Sequence, residues 1–131
     1  MLISESYRKE LQGLHKKDED WGTGPRGSII NICHWLYMNK VKQILDYGCG
    51  KGVLGHYLPI TVSNYDPAVE KWNGDPRPQD YLLCTDVLEH IEPECIENVI
   101  KHIVSKFNKK AYVIISLTEA SEILPSGRNA H

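Results

Sequence analysis

Ile44-Leu45-Asp46-Tyr47-Gly48-Cys49-Gly50-Lys51-Gly52 is the stretch that decides the fold. Two apolar residues end a short β-type run over Gln43 to Tyr47, and an acid stands at its carboxyl end. Three alternating glycines then open a short helix that reaches about Leu58 and stops at Pro59. Glycines let a chain turn sharply and approach a ligand without Cβ clashes. In an open α/β sheet, ligands sit beyond the carboxyl ends of the strands. The acid there can accept hydrogen bonds from an ammonium group or from water.

Outward from this turn, the pattern alternates. Thr61 to Tyr65 reads as a second strand closed by Asp66-Pro67, and Tyr81 to Thr85 as a third. From Pro93 to Phe107, Ile96, Val99, Ile100, Ile103, Val104 and Phe107 form an i, i+3, i+4 stripe, which predicts one buried helix face. Ala111 to Ser116 is nearly all apolar and reads as a fourth strand buried on both faces. Strand, helix, strand, helix, strand predicts a parallel sheet covered by helices.

Two further helices precede this core. Ile3, Tyr7, Leu11 and Leu14 recur at helical spacing across Ser4 to Lys17. Ser28 is placed to cap a second helix to about Asn39, with Ile29, Ile32, Cys33 and Leu36 on one face. The glycine-rich stretch between them carries Trp21 and Arg26, which reads as a loop placed to act as a lid.

At 131 residues, 41% hydrophobic and 24% charged, the chain has the size of one domain. Residues 1–40 make its leading helices, 41–116 its core and 117–131 a tail. Fifteen basic and 17 acidic side chains leave a net charge of −2. The basic excess by which nucleic-acid modules neutralise phosphate is absent. Four cysteines occur, none in a Cys-x-x-Cys pair, so no metal site is predicted. No apolar run approaches the roughly 20 residues that span a bilayer. A reducing cytoplasm is the expected setting.

The segment Asp46-Tyr47-Gly48-Cys49-Gly50-Lys51-Gly52 resembles motif I of class I S-adenosylmethionine-dependent methyltransferases, D-x-G-x-G-x-G. Twenty residues on, Asp66 resembles the family acid that grips the two ribose hydroxyls. Asp80 through Thr85-Asp86-Val87-Leu88-Glu89-His90 is similar to the family's fourth-strand motif, which ends V-L-E-H. The resemblance covers roughly Val41 to Ser116. It is to small members of the type-11/12 kind, found in phage and bacterial genomes. It implies a Rossmann-like fold with S-adenosylmethionine as cofactor and S-adenosylhomocysteine as product. The implied cofactor residues are Asp46, Tyr47, Gly48, Cys49, Gly50, Gly52, Asp66, Pro67, Thr85, Asp86 and Val87. His90, on the turn after the strand, and His131, in the tail, are the candidates for taking a proton from the acceptor.

Other readings compete. Gly50-Lys51-Gly52-Val53-Leu54-Gly55 satisfies the dinucleotide pattern G-x-G-x-x-G, but begins late after the strand and leaves Val87 to His90 unexplained. Asp66 and Asp86 could each serve only as helix caps, and His90 only as a packed side chain. The acceptor is unidentified, with a small molecule favoured by the lack of basic charge. A cofactor-binding module without transferase activity is the alternative.

Two departures from the family pattern stand out. Thirteen residues separate Asp66 from Asp80, three of them proline, too few for the usual helix and third strand. The family's C-terminal antiparallel pair also has no counterpart after the fourth strand. The expected architecture is therefore a shortened, mostly parallel Rossmann-like sheet. Its exposed edge would invite a second copy or another partner.

Overall fold

The computed structural model of the chain describes residues 1–17, 28–118 and 124–127. Its elements in order are α1 (Glu5–Lys17), α2 (Ile29–Met38), β1 (Gln43–Tyr47), α3 (Leu54–Tyr57), β2 (Thr61–Tyr65), β3 (Gln79–Thr85), α4 (Ile96–Val104) and β4 (Phe107–Ile114). Short 3-10 turns lie at Glu70–Trp72 and Leu88–His90. The four strands form one sheet in the order β2-β1-β3-β4, and every neighbouring pair is parallel. This is the predicted Rossmann-like α/β architecture. The chain leaves β1 toward β2 on one side, then crosses to β3 on the other. The switch point therefore lies between β1 and β3, where open α/β sheets hold ligands.

Alternation along the strands sorts the core into two layers. Ile44 and Leu83 face α2 and α3, packing with Ile32, Leu36, Val41, Leu54 and Leu58. Leu45, Tyr47, Tyr65, Leu82 and Cys84 face α4, against Val99 and Ile103. β1 and the second half of β3 are buried on both sides, as central parallel strands require. Two residues past α2, Lys40 has a φ of 53°, which lets Lys40 N–H reach the Tyr37 carbonyl and Val41 N–H reach that of Leu36. This doubled closure satisfies carbonyls that the helix leaves open and turns the chain into β1.

Three sequence expectations need correction. Ser28 precedes α2 but makes no side-chain cap hydrogen bond. The fourth helix is shorter than the stripe predicted. Phe107 leaves it to start β4, while Ile100 and Val104 are 47% and 59% exposed. A nine-residue helix packed on one face of the sheet buries a narrow stripe, and Val99 and Ile103 take it. Finally, β4 begins at Phe107 and ends at Ile114, and it is not buried on both faces. Among the described residues it is the outer strand of the sheet, with β3 as its one neighbour, so much of it stays open to solvent.

The predicted shortening is real. A single 3-10 turn and a proline-bounded loop connect β2 to β3. α1 sits apart from both layers. Its Tyr7 and Leu11 pack on Ala68, just past β2, and on Leu124. No described helix is long and apolar enough to cross a membrane.

Leu83 and Ile100 separate the two accounts of the core. Leu83→Ala, at a fully buried position, should cost about 3 kcal/mol in urea unfolding. Ile100→Ala should cost under about 1 kcal/mol. Equal losses would mean that the helix buries the whole stripe.

Candidate functional site

The glycine turn is stitched to the end of the neighbouring strand. Gly48 N–H and Cys49 N–H both donate to the Tyr65 carbonyl, at 2.7 and 3.0 Å, and Gly50 N–H donates to Asp66 Oδ2 at 2.9 Å. Such bonds need the backbone to fold back tightly, and Gly48, Gly50 and Gly52 all have positive φ, at 78°, 54° and 70°. Two of the three are also held by crowding. A Cβ on Gly48 would lie 2.3 Å from Val87 Cγ2, and one on Gly52 would lie 2.4 Å from Trp72 Cη2. Val87 follows β3, so Gly48 brings the turns after β1 and β3 into contact across the switch point.

Asp66 has two partners of its own. Its Oδ1 accepts from Ala68 N–H at 2.9 Å, an Asx-type turn, while Oδ2 holds Gly50. The capping role and a place at the glycine turn thus coexist in one side chain. Each carboxylate oxygen has a second lone pair, so further donors can still be accepted. Pro67 opens the turn that follows.

Asp46 sits at the carboxyl end of β1, 2% exposed, on the face of α2 and α3. Among the described residues none donates a hydrogen bond to it. Burial, and then the charge of Asp66, push its carboxyl up to about 7. Its register partner on β2 is Asn64, on the same face, and Asn64 Oδ1 is buried with no partner among the described residues. Two side-chain acceptors without donors thus stand side by side under the glycine turn. Sequence reasoning passed over Asn64, although its place two residues before Asp66 on a short strand put it on the face of Asp46.

The remaining predicted residues divide. Thr85 is buried at the end of β3, on the same face as Asp46. Asp86 has φ 53°, rare for a residue with a side chain, and its N–H is held by the Ile114 carbonyl at 2.9 Å. Val87 abuts Gly48. Cys49 is buried, and burial pushes its thiol far above the ordinary value. Tyr47 turns its side chain to the opposite face, where its hydroxyl meets His102 Nδ1 at 2.7 Å. Only its main chain is at the turn. His90 is half-buried on the 3-10 turn beyond Val87. Trp21, Arg26 and His131 lie outside the described residues. No group of three potential metal ligands occurs among the described residues.

A family model described as a methyltransferase domain matches residues 31–130. No curated protein and no solved structure matches the chain.

Two measurements probe this geometry. Gly48→Ala should destabilise by at least about 2 kcal/mol, and Val87→Ala should recover part of that loss in a double-mutant cycle. Strict additivity would break the claimed contact. Asp46 sets a pH signature as well. Its folded value of about 7 lies above the ordinary 3.8, so the native state keeps a proton that the unfolded chain releases. That contribution is present below about pH 4 and is lost as pH rises to about 7. Asp46→Asn should therefore raise the melting midpoint of the ligand-free protein at pH 8 more than at pH 4. A lower midpoint at pH 8 would contradict the unpaired carboxylate.

Proposed function

The chain belongs to the methyltransferase-domain family, class I by its parallel sheet and glycine turn, and on that premise we propose that it binds S-adenosylmethionine at the β1–β3 switch point and methylates a small acceptor. The observation that carries the reading is the buried pair of acceptors without donors, Asp46 and Asn64 Oδ1. A carboxylate buried this deeply is costly. A cation lowers that cost, and the methionine end of this cofactor carries an ammonium group.

The other residues fit the same molecule. The side-chain-free turn from Gly48 to Gly52 lets main chain approach the methionine end. Asp66 keeps lone pairs for the ribose hydroxyls after serving Gly50 and Ala68. Thr85, Asp86 and Val87 border the adenosine side, with Val87 fixed against Gly48. The cofactor supplies an electrophilic methyl carbon with a neutral thioether as leaving group. The chain's own task is then to orient the acceptor and exclude water, since alignment alone can provide much of the rate. His90 and His131 are the residues we propose for moving a proton off the acceptor. One observation favours a second reading as a binding module without transfer. The short connection after Asp66 provides no strand on the adenine side.

Calorimetry tests the proposal. S-adenosylmethionine should bind with micromolar affinity, and a bulky residue at Gly50 should abolish binding. Affinity should weaken as pH falls below about 7, because protonated Asp46 loses its charge, with a limiting slope of about tenfold per pH unit. Asp46→Asn should flatten that dependence. Tighter binding of NAD would refute the assignment. Transfer of a radiolabelled methyl group to a cell extract then separates the enzyme from the silent binder.

A further inference from the structure

Glu89, on the 3-10 turn Leu88–His90, carries a second unsatisfied group at this edge of the sheet. Its Oε1 accepts the main-chain N–H of Ser116 at 2.7 Å, while Oε2 is buried with no partner among the described residues. The surroundings fix its position. The turn is closed by His90 N–H to the Val87 carbonyl at 2.9 Å and by Ile91 N–H to that of Leu88 at 3.2 Å. Val87 itself presses on Gly48. Ser116 lies two residues past β4, whose last carbonyl holds Asp86 N–H. Glu89 thus bridges the carboxyl ends of β3 and β4, two residues from the contact with the glycine turn. Asp46, Asn64 and Asp66 lie on the β1–β2 side of that contact, so the two sets of acceptors flank the switch point.

Satisfying Ser116 N–H takes one neutral oxygen. A carboxylate brings a second oxygen and a charge, and leaving that oxygen buried without a donor opposes folding. The arrangement makes sense if a donor arrives with a ligand. We propose that Glu89 Oε2 receives an N–H or O–H of the methyl acceptor, which makes the acceptor a protic nitrogen or oxygen nucleophile. This rests on the cofactor reading above and adds the acceptor's chemical class. In the step, the acceptor's lone pair forms the new bond to the methyl carbon, and the carbon–sulfur electrons stay with the departing thioether. The acceptor's proton passes to Glu89 Oε2, in place of the direct transfer to His90 or His131 set out above, and from there to water, which leaves a neutral methylated product and a carboxylate ready for another turn.

The test uses the whole chain saturated with S-adenosylhomocysteine and two pairs of probes at pH 8. Aniline and phenol carry donors; N,N-dimethylaniline and anisole keep the ring and heteroatom but carry methyl groups in place of the donor hydrogens. Binding is followed by protein-observed NMR. Each donor-bearing probe should bind about tenfold or more tightly than its methylated counterpart. Glu89→Gln should erase that preference, because its amide keeps an acceptor for Ser116 but turns its own donor toward the probe. Should that variant fail to fold, Glu89→Asp replaces it, with the carboxylate withdrawn by one methylene. No preference in the native protein, or a preference that survives the variant, overturns the inference. A second measurement supplies carbon-13-methyl S-adenosylmethionine to a cell extract and reads the methyl carbon of the product. N-methyl or O-methyl signals are expected, and C-methyl or S-methyl products overturn the assignment. Affinity for S-adenosylhomocysteine, measured first, tells the two failures apart. Normal binding with no donor preference sinks only the role of Glu89, whereas no binding sinks the cofactor reading.

Discussion

The structure depends on how the turn after β1 is tied to the end of β2. A chain leaving a strand through three glycines has little intrinsic reason to hold one shape, since glycine gives up the most backbone entropy on folding. Here two amides converge on the Tyr65 carbonyl and a third on Asp66. The acid that closes β2 therefore acts before any ligand arrives, by fixing the loop. This couples the parts of the site. A change at Asp66 would disturb the glycine turn together with any ribose contact, so loss of binding in an Asp66 variant would not by itself identify a ligand contact. Asn64 and Asp46 make cleaner probes, because among the described residues neither Asn64 Oδ1 nor the Asp46 carboxylate takes a hydrogen bond.

How much could be read from the sequence follows from how local each signal was. β1 and β2 were legible to the residue because each is a five-residue run bounded by strong punctuation: glycine after one, Asp66-Pro67 after the other, and Pro59 ahead of Thr61. The missing third strand was legible from three prolines in thirteen residues. Apart from the Ser28 cap, the misreadings of the fold fall between α4 and β4, where apolar residues run on from one element into the next. Phe107 continues the helical period of Val99 and Ile103, yet it starts a strand. The two periods coincide there, and the boundary is set by the turn at Ser105 and Lys106, a tertiary matter. An apolar strand also looks the same in sequence at the centre and at the edge of a sheet. Only the strand order shows that β4 is outermost.

Within the site, the legible part was again backbone chemistry: glycines at positive φ and acids at strand ends. The illegible part was which side chains lack partners. Tyr47 stood in the motif, but alternation sends its ring to the face of α4. Asn64 and Glu89 carried no special signal, since asparagine in a strand and glutamate in a turn are ordinary. Their interest lies in an absence, an oxygen buried without a donor, and that becomes visible only when every neighbour has been placed.

The short connection between β2 and β3 raises a problem that the opposite face answers. Among the described residues no strand lies beyond β2, which is an edge, and the loop from Asn73 to Pro78 has little secondary structure to hold it. Two devices take over. Trp72 folds back so that its carbonyl receives Asp66 N–H and its ring covers Gly52. Asp75, further along, reaches across to α4, accepting from Lys106 Nζ at 2.8 Å and meeting His102 Nε2 at 2.7 Å. Lys106, then His102, hold its carboxyl below the usual range. His102 in turn meets the Tyr47 hydroxyl. A chain of polar contacts thus runs from the shortened loop, through the helix, to the last residue of β1. An exposed ion pair alone is worth little. Here one end of each contact is largely buried, with the Lys106 and His102 side chains only 10% and 16% exposed, and the network ends on the strand that carries the glycine turn. The loop that replaced a strand is therefore tied to the element that shapes the site. That connection braces the end of β1 from the face opposite to Asp46.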